Sequence, residues 1–359
     1  MLLSFPAKGD EAAVADSCGC SGVSSIHWIK QLIDSNFRLN DPGICYPAFP
    51  RFALKVYNWG DRMFNSYDPE YVVGTGKNWK LMGKSYNWME TSTLLFPEDV
   101  TLDMHSNLFC DAGFRLSFMA VSIGYMWNMN KIFSRPTSRH TFDFAFTTSR
   151  FSLSYQYLRS EGGMILTRLG DYNGRHSFRY HFDDVDMESK SVEALYFFNH
   201  NRYSHAAAYS FSKYQLRSAG TPMVGFNFVE QKIEMNFNRL PAEMLKYVPL
   251  EDALYRSHYL AYNISGGYSY NWVLKPRRWL INGYATVSMG YRRLFGTREN
   301  HDFRSLISNN FNLSLAATYN HRALFASLVG RMNGYFNYNS GFTHFNSFPS
   351  FVLIVGMRF

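Results

Sequence analysis

The chain has 359 residues, a net charge of +8, a pI near 9.2 and a mean hydropathy of -0.25. No run approaches the ~18 consecutive apolar residues that a spanning helix needs, which excludes a helical membrane protein. Aromatic residues reach 18% while charged residues are also only 18%, below the ~25% charged that ordinary soluble domains carry. That balance suits a β-barrel in lipid, because Tyr and Trp gather at membrane interfaces.

The positive charge is dispersed. Lys and Arg occur singly among strands and turns, with Lys275-Pro276-Arg277-Arg278 as the one cluster. There is no basic stripe, so no nucleic acid is expected as a partner. An anionic lipid surface or an anion-attracting lumen fits the excess charge equally well.

The chain opens with Met1-Leu2-Leu3-Ser4-Phe5-Pro6-Ala7, too short for a complete export signal. Either the start is assigned too late or most of the signal is missing. Cys18, Cys20, Cys45 and Cys110 have no paired C-x-x-C and no His at ligand spacing, so neither a metal nor another cofactor is expected. An oxidising periplasm would permit a disulfide among Cys18, Cys20 and Cys45. Ser24 or Ser25 caps a short predicted helix running to Asp34, with Ile26, Ile29, Leu32 and Ile33 on one face. Asp41-Pro42-Gly43 breaks it, and residues 51–76 show no clear period. Residues 1–76 read as a partly helical periplasmic segment that plugs or covers a barrel formed by residues 77–359.

From about residue 107 the period of two is strong. Phe142, Phe144 and Phe146 alternate with Asp143 and Ala145, and a turn at Thr148-Ser149-Arg150 leads into Phe151, Leu153, Tyr155 and Tyr157. The clearest run sets Leu260, Tyr262, Ile264, Tyr268, Tyr270 and Trp272 against Ala261, Asn263, Ser265, Ser269 and Asn271. Its partner carries Trp279, Ile281, Val287, Met289 and Tyr291 on one face, and Phe311, Leu313, Leu315 and Tyr319 repeat the pattern. Sandwich strands run about 5–6 residues and turn a charged face outward, whereas these run longer with a face of Ser, Asn, Thr, Ala and Gly.

Strands are expected at 107–117, 119–130, 139–147, 150–159, 190–199, 203–216, 222–236, 257–273, 278–293, 307–319, 322–335 and 349–359. That makes an all-β, transmembrane, antiparallel up-and-down β-barrel of about 12 strands, within 10–14 because residues 78–106 can supply two more. With both ends in the periplasm, the turns near 275 and 320 are periplasmic, and the links 237–256, 294–306 and 336–348 face outside. The scheme strains at 160–189, whose polar run with Asp183, Asp184 and Asp186 falls on the periplasmic side. The last strand alternates through Phe351, Leu353, Val355 and Met357 and stops on Phe359, as the closing strand of an outer-membrane barrel does. Phe351 and Phe359 are its barrel-closing aromatics.

Several stretches resemble one family: Asn58-Trp59-Gly60-Asp61, Phe64-Asn65-Ser66-Tyr67-Asp68, Tyr71 through Trp79, Gln215-Leu216-Arg217-Ser218-Ala219-Gly220 and Gly356-Met357-Arg358-Phe359. They are similar to an uncharacterised Bacteroidota outer-membrane β-barrel family, a domain of unknown function, over roughly residues 20–359. The resemblance implies export and placement in the bacterial outer membrane, and no activity.

A search for chemistry finds no G-x-S-x-G elbow, no H-E-x-x-H and no phosphate-binding loop, since Gly74-Thr75-Gly76-Lys77 lacks the spacing. Ser204, His200 and His205 read as solvated turn groups, and Asp183, Asp184 and Asp186 as a solvated loop. The charges expected to line the lumen are Arg115, Asp143, Glu193, Arg331 and Arg358; inside a barrel they must be paired or hydrated. Trp127, Tyr270, Trp272, Trp279 and Tyr291 are the candidate membrane-interface girdle. The expected function is a narrow or plugged pore, or binding barrel, for a small solute. The alternatives are a barrel subunit of an envelope complex docking through residues 1–76, and an enzyme acting on lipid or glycan; no catalysis is expected. Expected partners are outer-membrane lipid and lipopolysaccharide, the barrel-assembly machinery and an envelope protein.

Overall fold

The computed structural model describes residues 28–35, 39–64, 66–118, 121–129, 139–161, 163–295, 303–339 and 341–359. Cys18 and Cys20 lie outside them; Cys45 is buried. The chain divides into two units, residues 1–65 and 66–359. Residues 66–76, expected in the N-terminal segment, thus belong to the second.

The first unit holds α1 (Trp28–Asp34) and α2 (Ala48–Phe64). The sequence predicts α1, although Ser24 and Ser25 lie outside the described residues. It misses α2, where Pro50 and Gly60 interrupt an otherwise helical spacing of Phe49, Phe52, Val56, Trp59 and Met63. Proline is tolerated in a first helical turn because its absent N–H has no partner there anyway.

The second unit contains, in chain order, β1 (Val72–Gly74), β2 (Trp79–Trp88), β3 (Thr91–Leu95), β4 (Thr101–Ser106), β5 (Phe109–Phe118), β6 (Val121–Asn128), β7 (Arg139–Thr147), β8 (Phe151–Glu161), β9 (Met164–Leu169) and β10 (Tyr180–Phe182). There follow β11 (Val185–Phe197), α3 (His205–Tyr209), β12 (Lys213–Gln215), β13 (Ala219–Asn236), α4 (Ala242–Leu245), β14 (Leu254–Lys275), β15 (Trp279–Leu294), β16 (Ile307–His321), β17 (Leu324–Asn339) and β18 (Phe342–Arg358). Twelve of these strands form one antiparallel wall in the order β2-β5-β6-β7-β8-β11-β13-β14-β15-β16-β17-β18, and β18 pairs back onto β2 to close it. Closure leaves no open edge along the wall, which is what lipid demands of a sheet.

The count of twelve agrees with expectation, but through two compensating differences. Residues 203–216 are not a wall strand, and β2 takes their place. Its inward residues Lys80, Met82, Lys84, Tyr86 and Trp88 mix cations with apolar groups, so residue type does not display the alternation. With β2 in place, the segment 160–189 lies at the far end of the barrel, away from Phe359, which removes the strain in the expected topology. The link expected at 336–348 is instead the continuation of β17 and β18, paired from Asn339↔Phe342 onward.

Outward and inward faces differ sharply. Along β14, Ile264 is 68% exposed while its neighbour Ser265 is 1% exposed. On the outward face of β13, Pro222, Val224, Phe226 and Phe228 give way to Glu230, Lys232 and Glu234, which marks one edge of an apolar belt. From Tyr262 to Trp272 the belt climbs about 34 Å along β14, or ~26 Å along the axis at a ~40° tilt, matching the ~25 Å apolar band of membrane barrels. A belt of exposed Leu, Ile, Val and aromatic rings this wide has lipid as its natural solvent.

At the far end, β18 leaves β2 and pairs with β3 instead, and β3-β4-β9-β10 continue as a four-stranded flap. Leu94, Leu102, Leu166, Leu169, Phe182 and Phe237 are buried together with Trp88 and Met235. This apolar core joins the flap to the upper strands and to the 237–253 connection, and forms a cap.

Candidate functional site

The connection between β11 and β13 builds the other closure. A two-residue turn would serve to join two antiparallel strands, yet residues 198–218 fold inward and fill the lumen. Tyr203, Ser204, Ala206, Ala207, Ala208 and Phe211 are at most 2% exposed. The run of alanines lets α3 approach the wall closely, against Leu280. Below it, β12 pairs with β1, Val72↔Gln215 and Gly74↔Lys213. Ser204 and His205 are therefore buried, not solvated turn groups; a segment inside a barrel can be polar without touching bulk water.

Polar wall residues hold this plug. The Tyr203 hydroxyl lies 2.6 Å from Ser269 Oγ, and Tyr209 donates to Asn282 Oδ1 at 2.8 Å and meets Ser314 Oγ at 2.9 Å. Asn271 Nδ2 donates at 3.0 Å to both the Ser204 carbonyl and Gln215 Oε1. Two cations reach the carbonyls that follow α3: Lys80 Nζ donates to Ser210 O at 2.8 Å, and Arg358 Nε to Phe211 O at 2.7 Å. Arg358 is 2% exposed and stands 4.4 Å over the Phe325 ring. Phe211 adopts φ 58°, a left-handed conformation that costs a bulky residue energy, and its ring stacks on Phe325 at 4.6 Å. Such strain persists where surrounding packing fixes the position.

His205 lies between two rings, 5.0 Å from Phe197 and 4.5 Å from Tyr209. Burial, reinforced by the Arg331 charge, drives its pKa down to about 3 and keeps it neutral.

The five charges expected in the lumen all point inward but divide into three roles. Arg115 pairs with Asp143, and Lys84 Nζ reaches the same carboxylate at 3.4 Å. This cluster ties β2, β5 and β7 together, and β6 crosses beneath it at Gly124. A Cβ there would lie 3.1 Å from Asp143 Oδ1 and 3.4 Å from Arg115 Nε. Arg358 clamps the plug. Glu193 and Arg331 line the space that remains: Asn312 Nδ2 donates to Glu193 Oε1 at 3.1 Å, and the Arg331 guanidinium sits 5.6 Å from the Tyr209 ring. Among the described ion pairs Arg331 has no carboxylate. These side chains, with Lys84, Arg115, Asp143, His205 and Tyr209, surround a cavity of about 160 Å³, room for several waters or a small polar solute. Three cations and two carboxylates leave it net positive.

Trp127, Trp272, Trp279 and Tyr291 are exposed on the outward face, and Tyr270 is half-buried beside Trp272 with ring centroids 4.9 Å apart. Tyr270, Trp272 and Trp279 lie toward the plug end of the barrel, and Trp127 and Tyr291 toward the cap. Phe351 faces outward, between Gly330 and Asn87. The backbone of Phe359 exchanges hydrogen bonds with Trp79, at 3.0 and 3.1 Å.

Sequence reasoning missed Lys80, Lys84 and Tyr209. It also missed a serine–histidine contact in the cap, where Ser92 Oγ lies 2.8 Å from His344 Nε2 and the Tyr255 hydroxyl 3.0 Å from Nδ1. Separation by 252 positions hides that pair. Both side chains are fully buried, and the second nitrogen of His344 meets a hydroxyl where a triad would place a carboxylate. Asp184 pairs with Arg239 at 2.7 Å. Among the described residues no group of three His, Cys, Asp or Glu is placed to hold a metal ion.

Among solved structures, the chain is similar to the outer membrane protease OmpT from Escherichia coli, at 8% identity over 82% of this chain and 98% of that one, TM-score 0.34. It is likewise similar to the beta domain of the Bordetella autotransporter BrkA, at 8% identity over 77% and 99%, TM-score 0.34. An outer membrane channel from Pseudomonas putida F1 gives 8% over 80% and 98%, TM-score 0.32. No activity is transferred from any of them. No curated protein sequence matches the chain. The family model "Domain of unknown function (DUF4421)" matches residues 66–359, which leaves Asn58-Trp59-Gly60-Asp61 outside the matched part, and the chain belongs to that family.

Proposed function

We propose that the protein resides in the bacterial outer membrane as a closed, non-catalytic barrel that binds a small polar solute bearing a carboxylate or phosphate. The reading rests on one observation: a net-positive cavity in which the Arg331 guanidinium faces open space between a plug and a cap. A charge kept in such a space must be hydrated or meet a counter-ion, and a guanidinium receives a carboxylate or phosphate with two parallel hydrogen bonds. The plug supplies the gate, since many of its fastenings, beside the packing of α3 on Leu280 and of Phe211 on Phe325, are hydrogen bonds to wall side chains that water can replace.

The full chain in lipid nanodiscs is titrated calorimetrically with small neutral, cationic and carboxylated solutes. Binding is expected for the carboxylated set, weakened about tenfold or more by Arg331→Gln, as loss of a charged hydrogen bond implies. Binding that ignores solute charge, or survives Arg331→Gln unchanged, overturns the reading. Replacing residues 199–218 by a short turn is expected to open the cavity from the plug end, read as faster association of the carboxylated solute in the same nanodiscs.

A further inference from the structure

We infer that α2 is a membrane-surface helix that lies on an anionic phospholipid leaflet. The helix is turned inside out for a water-soluble segment. Phe49 is 79% exposed, Phe52 64%, Trp59 62% and Val56 50%. They recur at intervals of three and four and so share one face. The opposite side packs on the unit's own chain: Arg51 donates to the Tyr46 carbonyl at 2.8 Å, and Asn58 exchanges amide hydrogen bonds with Asn40 at 2.7 and 3.0 Å. The polar side is thus engaged and the aromatic side open. The shorter α1 repeats the arrangement, with Ile29 57% and Ile33 53% exposed one turn apart.

Lipid is the occupant that these features select. Seventeen residues rise about 26 Å, short of the ~20 residues a spanning helix needs, so the helix lies flat. Lys55 is exposed one turn before Trp59, beside the aromatic face. There its stem can run along the apolar surface while its ammonium meets an anionic headgroup. A Trp and two Phe on one face with a lysine flanking them suits a helix that sinks into the boundary between headgroups and acyl chains. The same chain carries an apolar belt in the unit that begins at Ser66, directly after the helical unit in sequence. The inference needs the barrel to sit in a bilayer and is independent of what its lumen binds.

The test uses the full chain with its four cysteines replaced by alanine, Phe52→Cys labelled with an environment-sensitive fluorophore, and vesicles of phosphatidylethanolamine with phosphatidylglycerol. Heat-modifiable migration on a gel reports barrel insertion separately, so failure of the barrel is distinguished from failure of the helix. Lipid carrying a doxyl group just below the headgroup is expected to quench the probe about threefold or more over aqueous iodide, as shallow burial of the apolar face requires. Lys55→Glu is expected to reduce that quenching. Dominant iodide quenching means a water-exposed face; quenching by neither means that protein covers it; either result overturns the inference. If the cysteine-free chain does not insert, Trp59→Phe in the native background is compared in vesicles of brominated lipid. Loss of a lipid-quenched tryptophan component supports the inference, and an unchanged quenched fraction overturns it.

Discussion

At the end of the barrel that carries Trp79 and Phe359, the lumen is filled by a single inward segment fastened through Lys80, Asn271, Asn282, Ser314 and Arg358. At the opposite end, flap strands and connections meet over Trp88, Leu94, Leu102, Phe182 and Phe237, with scarcely an accessible atom among them. The contrast is between a segment held by many directional contacts that water can replace, with Phe211 and the alanines of α3 packed behind them, and a close-packed apolar mass whose exposure is costly. The plug is therefore expected to leave more readily than the cap, which is part of what folding means for this chain.

The comparison is tested most severely at the cap. Leu102→Ala, at a residue with no exposed surface, is expected to lower stability by about 2–5 kcal/mol. The measurement is the thermal midpoint of the heat-modifiable form, with no change in the mobility of residues 198–218. If this variant instead frees the plug, the two ends are not separable. Arg358→Gln should do the reverse, removing charged hydrogen bonds worth about 1.5–3 kcal/mol to the closed plug. A spin label placed in residues 198–218 should then report a mobile fraction on the order of tenfold or more above that of the unaltered chain.

Acidity probes the plug alone. His205 has a pKa of about 3 when enclosed, while an imidazole released to water titrates near ~6.5. Between those values the open state binds more protons than the closed one. Closure is thus fully favoured above the upper value and loses about 1.4 kcal/mol for each pH unit below it. A mobile fraction of the same label that rises as pH falls from neutrality to about 4.5, and whose rise His205→Gln removes, is the expected result. The smallest effect belongs to Tyr209→Phe, which deletes hydrogen bonds to Asn282 and Ser314. It should weaken plug retention by about 0.5–1.5 kcal/mol, and a larger effect would mean that the polar fastenings act as one network.

What the residues disclosed in advance follows the same division. β14, β15 and β16 were readable because lipid on one side and small polar groups on the other enforce strict alternation. β2 was hidden because its inward face carries Lys80, which holds the plug, and Lys84, which joins the Asp143 cluster. Residues 203–216 passed for a strand because a segment wrapped by a polar wall alternates too, Tyr203, His205 and Tyr209 among small residues. The separation of the lumen charges into wall lock, plug clamp and cavity lining depends on which strands adjoin. That information spans up to 278 positions (Lys80 and Arg358, partners in the register).

That last pairing gives the plug a second task. Lys80 and Arg358 stand directly opposite each other on the two strands that make the final seam, and like charges so placed repel. Arg358 has a wall partner of its own, Asn320 Oδ1 on β16, and further oxygens come to the pair from Ser210 and Phe211, in the middle of the chain. The backbone that fills the lumen therefore also bridges the seam where first strand meets last, with one carbonyl for the cation on each side of it.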